Sequence, residues 1–353
     1  MTAPGVQIAG GRSGEPETLG VAIHGAGWVS NEYIKAFGRN PHTEVRVVSS
    51  RREETARARV AEHNLAADVS TDFEAVLSRP DVHIVCVCTP SERHPQETIA
   101  AAGAGKHVVI EKPVAMDLPS LQAMRQAVSQ AGVRTVVGFV LRWNPLLSLV
   151  KSLVRGGTLG DVFLAEMGYF SQIGPWYSGF EWARTRAGGG SNLLFAGCHA
   201  VDALRWLAGE VTEVSAFETR AHVPAYEYAP TIAATMKLAN GGLATLASTF
   251  EAPMPYTFPV RLHGTRGAFR DGRLYAQETF PGQTDWITVP SVAPDNADVA
   301  LFPFGDLADH FVECIRQGVE SHCNLEDAAR THELCLAIDR SAAAGGRPVS
   351  LPL

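Results

Sequence analysis

Between residues 19 and 140 the chain alternates short apolar runs with longer, more polar stretches of helix-forming residues. The apolar runs at 19–24, 44–50, near 68, 82–88, 106–110 and 133–140 are rich in valine and isoleucine, and those at 19–24, 44–50 and 82–88 end at Gly, Ser or Thr. Such runs predict strands buried on both faces. The stretches between them, at 31–37, 53–62, 72–77, 92–102 and 119–130, predict helices. Strand followed regularly by helix means a parallel sheet with crossover helices, an α/β arrangement. After a helix predicted at 145–154 the character changes. Strand-length runs dominate at 162–170, 211–220, 231–238, 242–251 and 257–263, and Asn240-Gly241-Gly242 is a hairpin signal. One helical pattern at 191–207 interrupts them, and two more, at 304–317 and 326–343, close the chain. The second half therefore predicts an α+β unit with a large, mainly antiparallel sheet.

The join between the first strand and the first helix carries chemistry. Gly25-Ala26-Gly27-Trp28-Val29-Ser30 follows the strand directly. In a strand–turn–helix context this is the dinucleotide fingerprint. Gly25 permits the tight turn, and Gly27 lets backbone approach a pyrophosphate resting on the helix N-terminus. Trp28 and Val29 share the turn and are further candidates for cofactor contact. Ser30 stands where a third glycine is usual and is small enough to pack helix on strand. The second strand completes a βαβ unit. Its end would carry a carboxylate for the ribose hydroxyls of NAD. Here it reads Ser50-Arg51-Arg52. Hydroxyl plus guanidinium suits a 2′-phosphate, so NAD(P) is expected with a lean to NADP. An arginine can equally stack on adenine or begin a solvated helix. The expected division is a leader without order at 1–18, a Rossmann dinucleotide-binding domain at 19–141, and a substrate-binding and oligomerisation domain at 142–353. The last helices of the second domain are free to pack back on the first.

Glu111-Lys112-Pro113 ends the strand at 106–110. The C-terminal ends of parallel strands border the crevice where open α/β sheets bind ligands. A lysine held there can polarise or protonate an oxygen, although a strand-end lysine can also simply point into water.

Composition narrows the classes of function. The 353 residues suffice for two domains, and the net charge of −7 contains no block of like charges. A nucleic-acid surface would need a basic stripe, so no nucleic acid is expected. No apolar run approaches the roughly 20 residues that span a bilayer, so no membrane is expected either. Six cysteines form no pair of C-x-x-C motifs, and no metal site is expected. Cys86 and Cys88 alternate within a strand and should pack on one face. Unpaired thiols suit a reducing cytoplasm.

Further segments complete a pattern. Thr89-Pro90 precedes His94; Ala101-Ala102-Gly103-Ala104-Gly105-Lys106-His107-Val108 leads into Glu111-Lys112-Pro113; Arg142-Trp143-Asn144-Pro145 follows; and Gly188-Gly189-Gly190 leads to Gly197-Cys198-His199-Ala200-Val201-Asp202. In this order and spacing the chain resembles the Gfo/Idh/MocA oxidoreductases, named for glucose–fructose oxidoreductase and inositol dehydrogenase, over nearly everything after residue 18. The resemblance implies that Lys112 hydrogen-bonds the reacting hydroxyl and that His199 is the general acid/base. It adds Thr89, Pro90, His94, Glu111, Lys112 and Arg142 to Gly25, Gly27, Trp28, Val29, Ser50 and Arg51 as expected cofactor contacts. Many relatives carry an aspartate one helical turn before the histidine, where this chain has Phe195. Asp202 is expected to pair with Arg205 or to cap local structure.

For the substrate, Trp176, Tyr177 and Trp182 lie on a loop before the glycine run and suit stacking on sugar C–H faces, an oligomer contact, or a small satellite core. Trp143, Asn144, Arg184 and His199 complete the expected substrate set. The leading expectation is an NAD(P)-dependent oxidoreductase acting on a secondary hydroxyl of a sugar, glycoside or cyclitol, as a homodimer or homotetramer. Two alternatives stand beside it. One is an NAD-dependent glycosidase working by transient oxidation, elimination, water addition and re-reduction. The other is a non-catalytic sugar or nucleotide sensor.

Overall fold

A computed structural model of the protein describes residues 17–220, 225–294 and 302–353. All but the last two residues of the expected leader lie outside the described residues. Six strands form a parallel sheet: β1 (Leu19–His24), β2 (Thr43–Ser49), β3 (Asp68–Ser70), β4 (Ile84–Val87), β5 (His107–Ile110) and β6 (Thr135–Val137). Their spatial order is β3-β2-β1-β4-β5-β6. That is the doubly wound order, which reverses direction between β1 and β4. Every residue of β1 and β4 is buried, because helices cover both faces. The crossover helices are α1 (Ser30–Arg39), α2 (Glu53–Glu62), α3 (Phe73–Leu77), α4 (His94–Gly103) and α5 (Leu118–Ala131). Local chemistry sets some of their ends. Asp117 caps α5 by accepting from the Ser120 N–H at 2.8 Å, Pro119 sits in its first turn, and Gly132 closes it at φ 65. Cys86 and Cys88 are buried on one face with sulfurs 3.4 Å apart.

The last strand is shorter than the pattern at 133–140 predicts. After Val137 the chain turns, and Val140–Trp143 coils into a 3₁₀ turn that carries Arg142 into the interior. Beyond it lie α6 (Pro145–Arg155), β7 (Val162–Phe170), α7 (Phe180–Ala183), α8 (Cys198–Ala208), β8 (Val211–Thr219), β9 (Thr231–Leu238), β10 (Leu243–Thr249), β11 (Val260–Gly264), β12 (Ala268–Arg270), β13 (Arg273–Tyr275), β14 (Ile287–Thr288), α9 (Phe304–Gln317), α10 (Leu325–Ala343) and β15 (Val349–Ser350). The second sheet has the order β14-β13-β12-β11-β7-β10-β9-β8-β15, and only the β7–β10 pair is parallel. In β9, Ile232, Ala234, Met236 and Leu238 are buried while Ala233, Thr235 and Lys237 are exposed. One face thus packs inward, and the other is open.

The final helices lean on the first domain. Asn40 donates to Asp309 of α9 at 2.7 Å. The N–H of Leu325 at the start of α10 donates to the Thr135 hydroxyl at 2.9 Å. His332 of α10 accepts the Val114 N–H through Nε2 at 2.9 Å. The last of these contacts braces the loop after β5. The single helix predicted at 191–207 is broken: Leu193–Gly197 forms a π-helical turn before α8 begins. Among the described residues no helix is long and apolar enough to cross a membrane.

Candidate active site

The ends of β1, β4 and β5 open onto a cleft of about 770 Å³ between the two sheets. Gly25 continues β1 at φ 107, and a side chain there would place Cβ 2.5 Å from the Cys88 carbonyl oxygen. Only glycine meets both conditions. A Cβ on Gly27 would meet nothing within 4 Å, so Gly27 faces the open cleft. No side chain caps α1; the Asn31 and Glu32 N–H groups close its first turn onto the Trp28 and Val29 carbonyls at 3.2 and 3.0 Å. Ser30 is fully buried and ties the turn by donating to the Gly27 carbonyl at 2.6 Å. Trp28, Val29, Ser50, Arg51, Arg52 and Thr55 line the same end of the cleft.

Beneath the turn runs a buried polar chain that the sequence did not reveal. His24 is hydrogen-bonded to the Ser49 hydroxyl at 2.7 Å and lies 3.1 Å from Glu97. Glu97 also accepts from Arg93 at 2.6 Å and from the Thr89 hydroxyl. The His94 ring lies between two carbonyls, those of Pro113 at 2.7 Å and Thr89 at 2.8 Å. It thereby ties the loop after β4 to the loop after β5. Burial pushes its pKa down.

At the end of β5, Glu111 accepts the Tyr33 hydroxyl at 2.7 Å and the Lys112 N–H at 3.1 Å. Burial pushes the Glu111 carboxyl up, and the Lys112 charge opposes that shift. The Lys112 ammonium crosses the cleft to donate to the Phe195 carbonyl at 3.1 Å. It also lies 5.8 Å from the centre of the Phe195 ring. His199 projects from α8 into the same wall and is 6% exposed. Burial and, after it, the Lys112 charge hold its pKa well below 6.5, so the imidazole is neutral at pH 7. Its Nδ1 is buried without a hydrogen-bond partner. Phe195, at the position where an aspartate was expected from the resemblance, contributes twice. The Phe195 ring packs against other rings, and the Phe195 carbonyl holds Lys112. The π-helical turn sets that carbonyl, a device common where helices meet functional sites.

The aromatic loop forms the opposite side. Trp176, Tyr177 and Trp182 all line the cleft. Phe195 contacts Tyr177 and Trp182, with ring centres 6.0 and 6.3 Å apart. Tyr169, Ile173 and Tyr256 join them. Nothing in the strand patterns distinguished these three from ordinary core residues.

Four expected site residues lie elsewhere. Arg142 is buried in a fork with Asp202, its Nε and Nη2 donating at 2.8 and 2.6 Å, while Nη1 donates to the His322 carbonyl at 2.6 Å. Asp327 approaches it at 2.6 Å as well. Its guanidinium is consumed by these partners and does not line the cleft. Asp202 accordingly pairs with Arg142 and accepts from Thr331, rather than pairing with Arg205, whose partners are Thr331, Glu210 and Asp327. Trp143 packs between His310 and His322. Asn144 caps α6 by accepting the N–H groups of Leu146 and Leu147. Arg184 is held outside the cleft by Glu181 and the Ala225 carbonyl. The remaining expected residues, including Pro90, are brought to the one cleft. A second, more open hollow of about 950 Å³ beside α2 and β3 contains none of them.

Residues 19–139 match the family described as "Oxidoreductase family, NAD-binding Rossmann fold", and residues 147–270 match the "GFO/IDH/MocA C-terminal domain". The chain belongs to the GFO/IDH/MocA family. An oxidoreductase of Bacillus subtilis (strain 168), YrbE, is 25% identical over 338 residues, covering 93% of this chain and 95% of YrbE. Inositol 2-dehydrogenase of Rhizobium meliloti (strain 1021) is 25% identical over 71% of this chain and 74% of its own. Levoglucosan dehydrogenase of Pseudarthrobacter phenanthrenivorans is 28% identical over 57% of this chain and 54% of its own. A solved levoglucosan dehydrogenase in complex with NADH superposes with a TM-score of 0.83 at 22% identity, covering 95% of this chain and 99% of that one. At that identity the likeness concerns the fold.

The cleft fits the dinucleotide of this GFO/IDH/MocA protein. Gly27 leaves open space where backbone must approach a pyrophosphate, the start of α1 is uncapped, and polar side chains rim the far end of β2.

Proposed function

We propose that this chain is an NAD(P)-dependent oxidoreductase acting on a secondary hydroxyl of a sugar, glycoside or cyclitol. The observation that carries the reading is the meeting of the Lys112 ammonium and a neutral, buried His199 on one wall of the cleft that begins at the glycine turn. Gly25, Gly27, Trp28, Val29, Ser50 and Arg51 would hold the cofactor, with Thr89, Pro90, His94 and Glu111 shaping its nicotinamide end. Bound nicotinamide supplies the hydride acceptor or donor. His199, neutral at pH 7, takes the hydroxyl proton during oxidation and returns it during reduction. The Lys112 ammonium stabilises the oxygen as negative charge develops on it. Glu111, braced by Tyr33, positions the strand end that carries Lys112. The names of relatives support the substrate class: levoglucosan dehydrogenase, inositol 2-dehydrogenase and 1,5-anhydro-D-fructose reductase.

Ser50, Arg51 and Arg52 at the end of β2 favour a 2′-phosphate, hence NADP over NAD. Exposed Phe163, Phe217 and Leu243 on the open face of the second sheet favour a homodimer or homotetramer. Six free thiols favour a cytoplasmic setting.

Phe195 keeps a second reading in play. Without a carboxylate one turn before His199, the site also suits net hydrolysis of a glycoside, in which oxidation is transient. One experiment separates them: a panel of free sugars and glycosides with nicotinamide absorbance and released sugar followed together. A dehydrogenase gives reduced cofactor in proportion to sugar consumed. Hydrolysis with catalytic cofactor and no accumulated reduced cofactor selects the glycosidase. Binding of sugar or nucleotide with neither signal selects a sensor.

A further inference from the structure

The second-domain half of the cleft is dominated by aromatic side chains. Among the described residues, no carboxylate, carboxamide or guanidinium of the second domain lines it. Its polar side-chain groups are Ser171, Ser178, His199, tyrosine hydroxyls and the indole N–H groups of Trp176 and Trp182. The same wall carries a wide apolar surface. Trp176 is 67% exposed and Trp182 is 36% exposed at its mouth. The Trp176 indole N–H is already used, donating to the Gln172 carbonyl at 3.2 Å. Its ring therefore offers a carbon face and no free donor. Phe195 extends this surface inward to within 5.8 Å of the Lys112 ammonium, joining the mouth of the cleft to the reacting position. Arg184 and Glu181, the charged neighbours on the loop, are paired with each other outside the cleft.

We propose that this half of the cleft is a subsite for a flat, uncharged aromatic group beside the reacting hydroxyl, so that the substrate is an aryl glycoside rather than a free sugar. The inference rests on the oxidoreductase reading and narrows its substrate. Rings of Trp176, Trp182 and Phe195 offer offset or edge contacts to an aglycone, while the hydroxyl of the attached sugar reaches Lys112 and His199.

The test is calorimetric titration of the full chain loaded with reduced cofactor, using free, methyl and phenyl β-glycosides of glucose, galactose and xylose. The phenyl glycoside should bind at least ~10-fold tighter than its methyl counterpart for the sugar bound best. In a Trp176→Ala, Trp182→Ala double variant that ratio should fall towards one. Trp176→Ala alone, at an exposed position, should reduce it partially and keeps the test valid if the double variant does not fold. Equal binding of phenyl, methyl and free forms, absence of binding by all of them, or a phenyl advantage that survives both variants overturns the proposal. Turnover separates its failure from that of the wider reading. Free sugars oxidised as efficiently as phenyl glycosides defeat the aromatic subsite and leave the oxidoreductase. A phenyl preference in binding with neither cofactor reduction nor released phenol does the reverse.

Discussion

The two halves of the cleft are built from different materials. The first-domain half is mostly backbone: a glycine turn, an uncapped helix start and strand ends whose positions follow from the parallel sheet. The second-domain half is mostly side chain: rings on a loop, on β7 and on a π-helical turn that meet only after folding. Backbone recognition tolerates few substitutions because geometry itself binds. Side-chain recognition can be retuned one residue at a time, because each ring makes its own contacts.

The sharpest way to break this comparison lies behind both halves. The Arg142–Asp202 pair is almost inaccessible, with side chains 1% and 4% exposed. Asp202→Ala should cost up to about 3–5 kcal/mol of stability, the order for breaking a buried ion pair, and less to the extent that Asp327 still neutralises Arg142. Urea unfolding measures it, and cofactor affinity of the folded fraction should not change. A selective loss of cofactor affinity would return Arg142 to the cleft. Next in size, Lys112→Ala should lower kcat by at least ~100-fold, with melting temperature and cofactor affinity near those of the parent. A folded variant that keeps most of its turnover would remove Lys112 from the chemistry.

The glycine turn offers an internal control. Gly27→Val should weaken cofactor binding by at least ~10-fold and leave stability nearly unchanged, because its Cβ meets no protein atom. Gly25→Val should impair both, since its Cβ meets the Cys88 carbonyl and its φ is positive. Fluorescence titration together with thermal unfolding separates the two results. The pH profile then probes the shared wall. His199 is protonated only well below pH 6.5, so kcat/KM for oxidation should hold through neutrality and fall on the acid side. Lys112→Gln removes the positive neighbour and should move that acid limb upward towards 6.5, on whatever activity remains. An unmoved limb would show that another group controls it. The smallest effect is expected at the rim of the cofactor half. Arg51→Ala should weaken NADPH roughly 3–10-fold more than NADH, and equal weakening would remove the NADP preference.

Much of this protein was legible from residue order. The six parallel strands, the hairpin at Asn240-Gly241-Gly242 and the two closing helices follow from local pattern, because period and turn chemistry act between near neighbours. Lys112 and His199 were legible because motif spacing places them at a strand end and on a helix. Arg142 was misread for the opposite reason. The resemblance placed it among the cofactor contacts, and only packing brings Asp202 and Asp327 to it across 60 and more residues.

The sequence by itself determined the doubly wound domain, the glycine turn and the placing of Lys112 at a strand end and His199 on a helix. These depend on dihedral limits, strand and helix periods, and the chemistry of single side chains. Tertiary structure alone decided which arginine is structural, where the 191–207 helix breaks, and that the Phe195 carbonyl, rather than a carboxylate, meets the Lys112 ammonium. Each of those outcomes depends on burial and on partners distant in sequence. A charge that loses water must find its counter-charge wherever the fold supplies one, and no local pattern states where that will be.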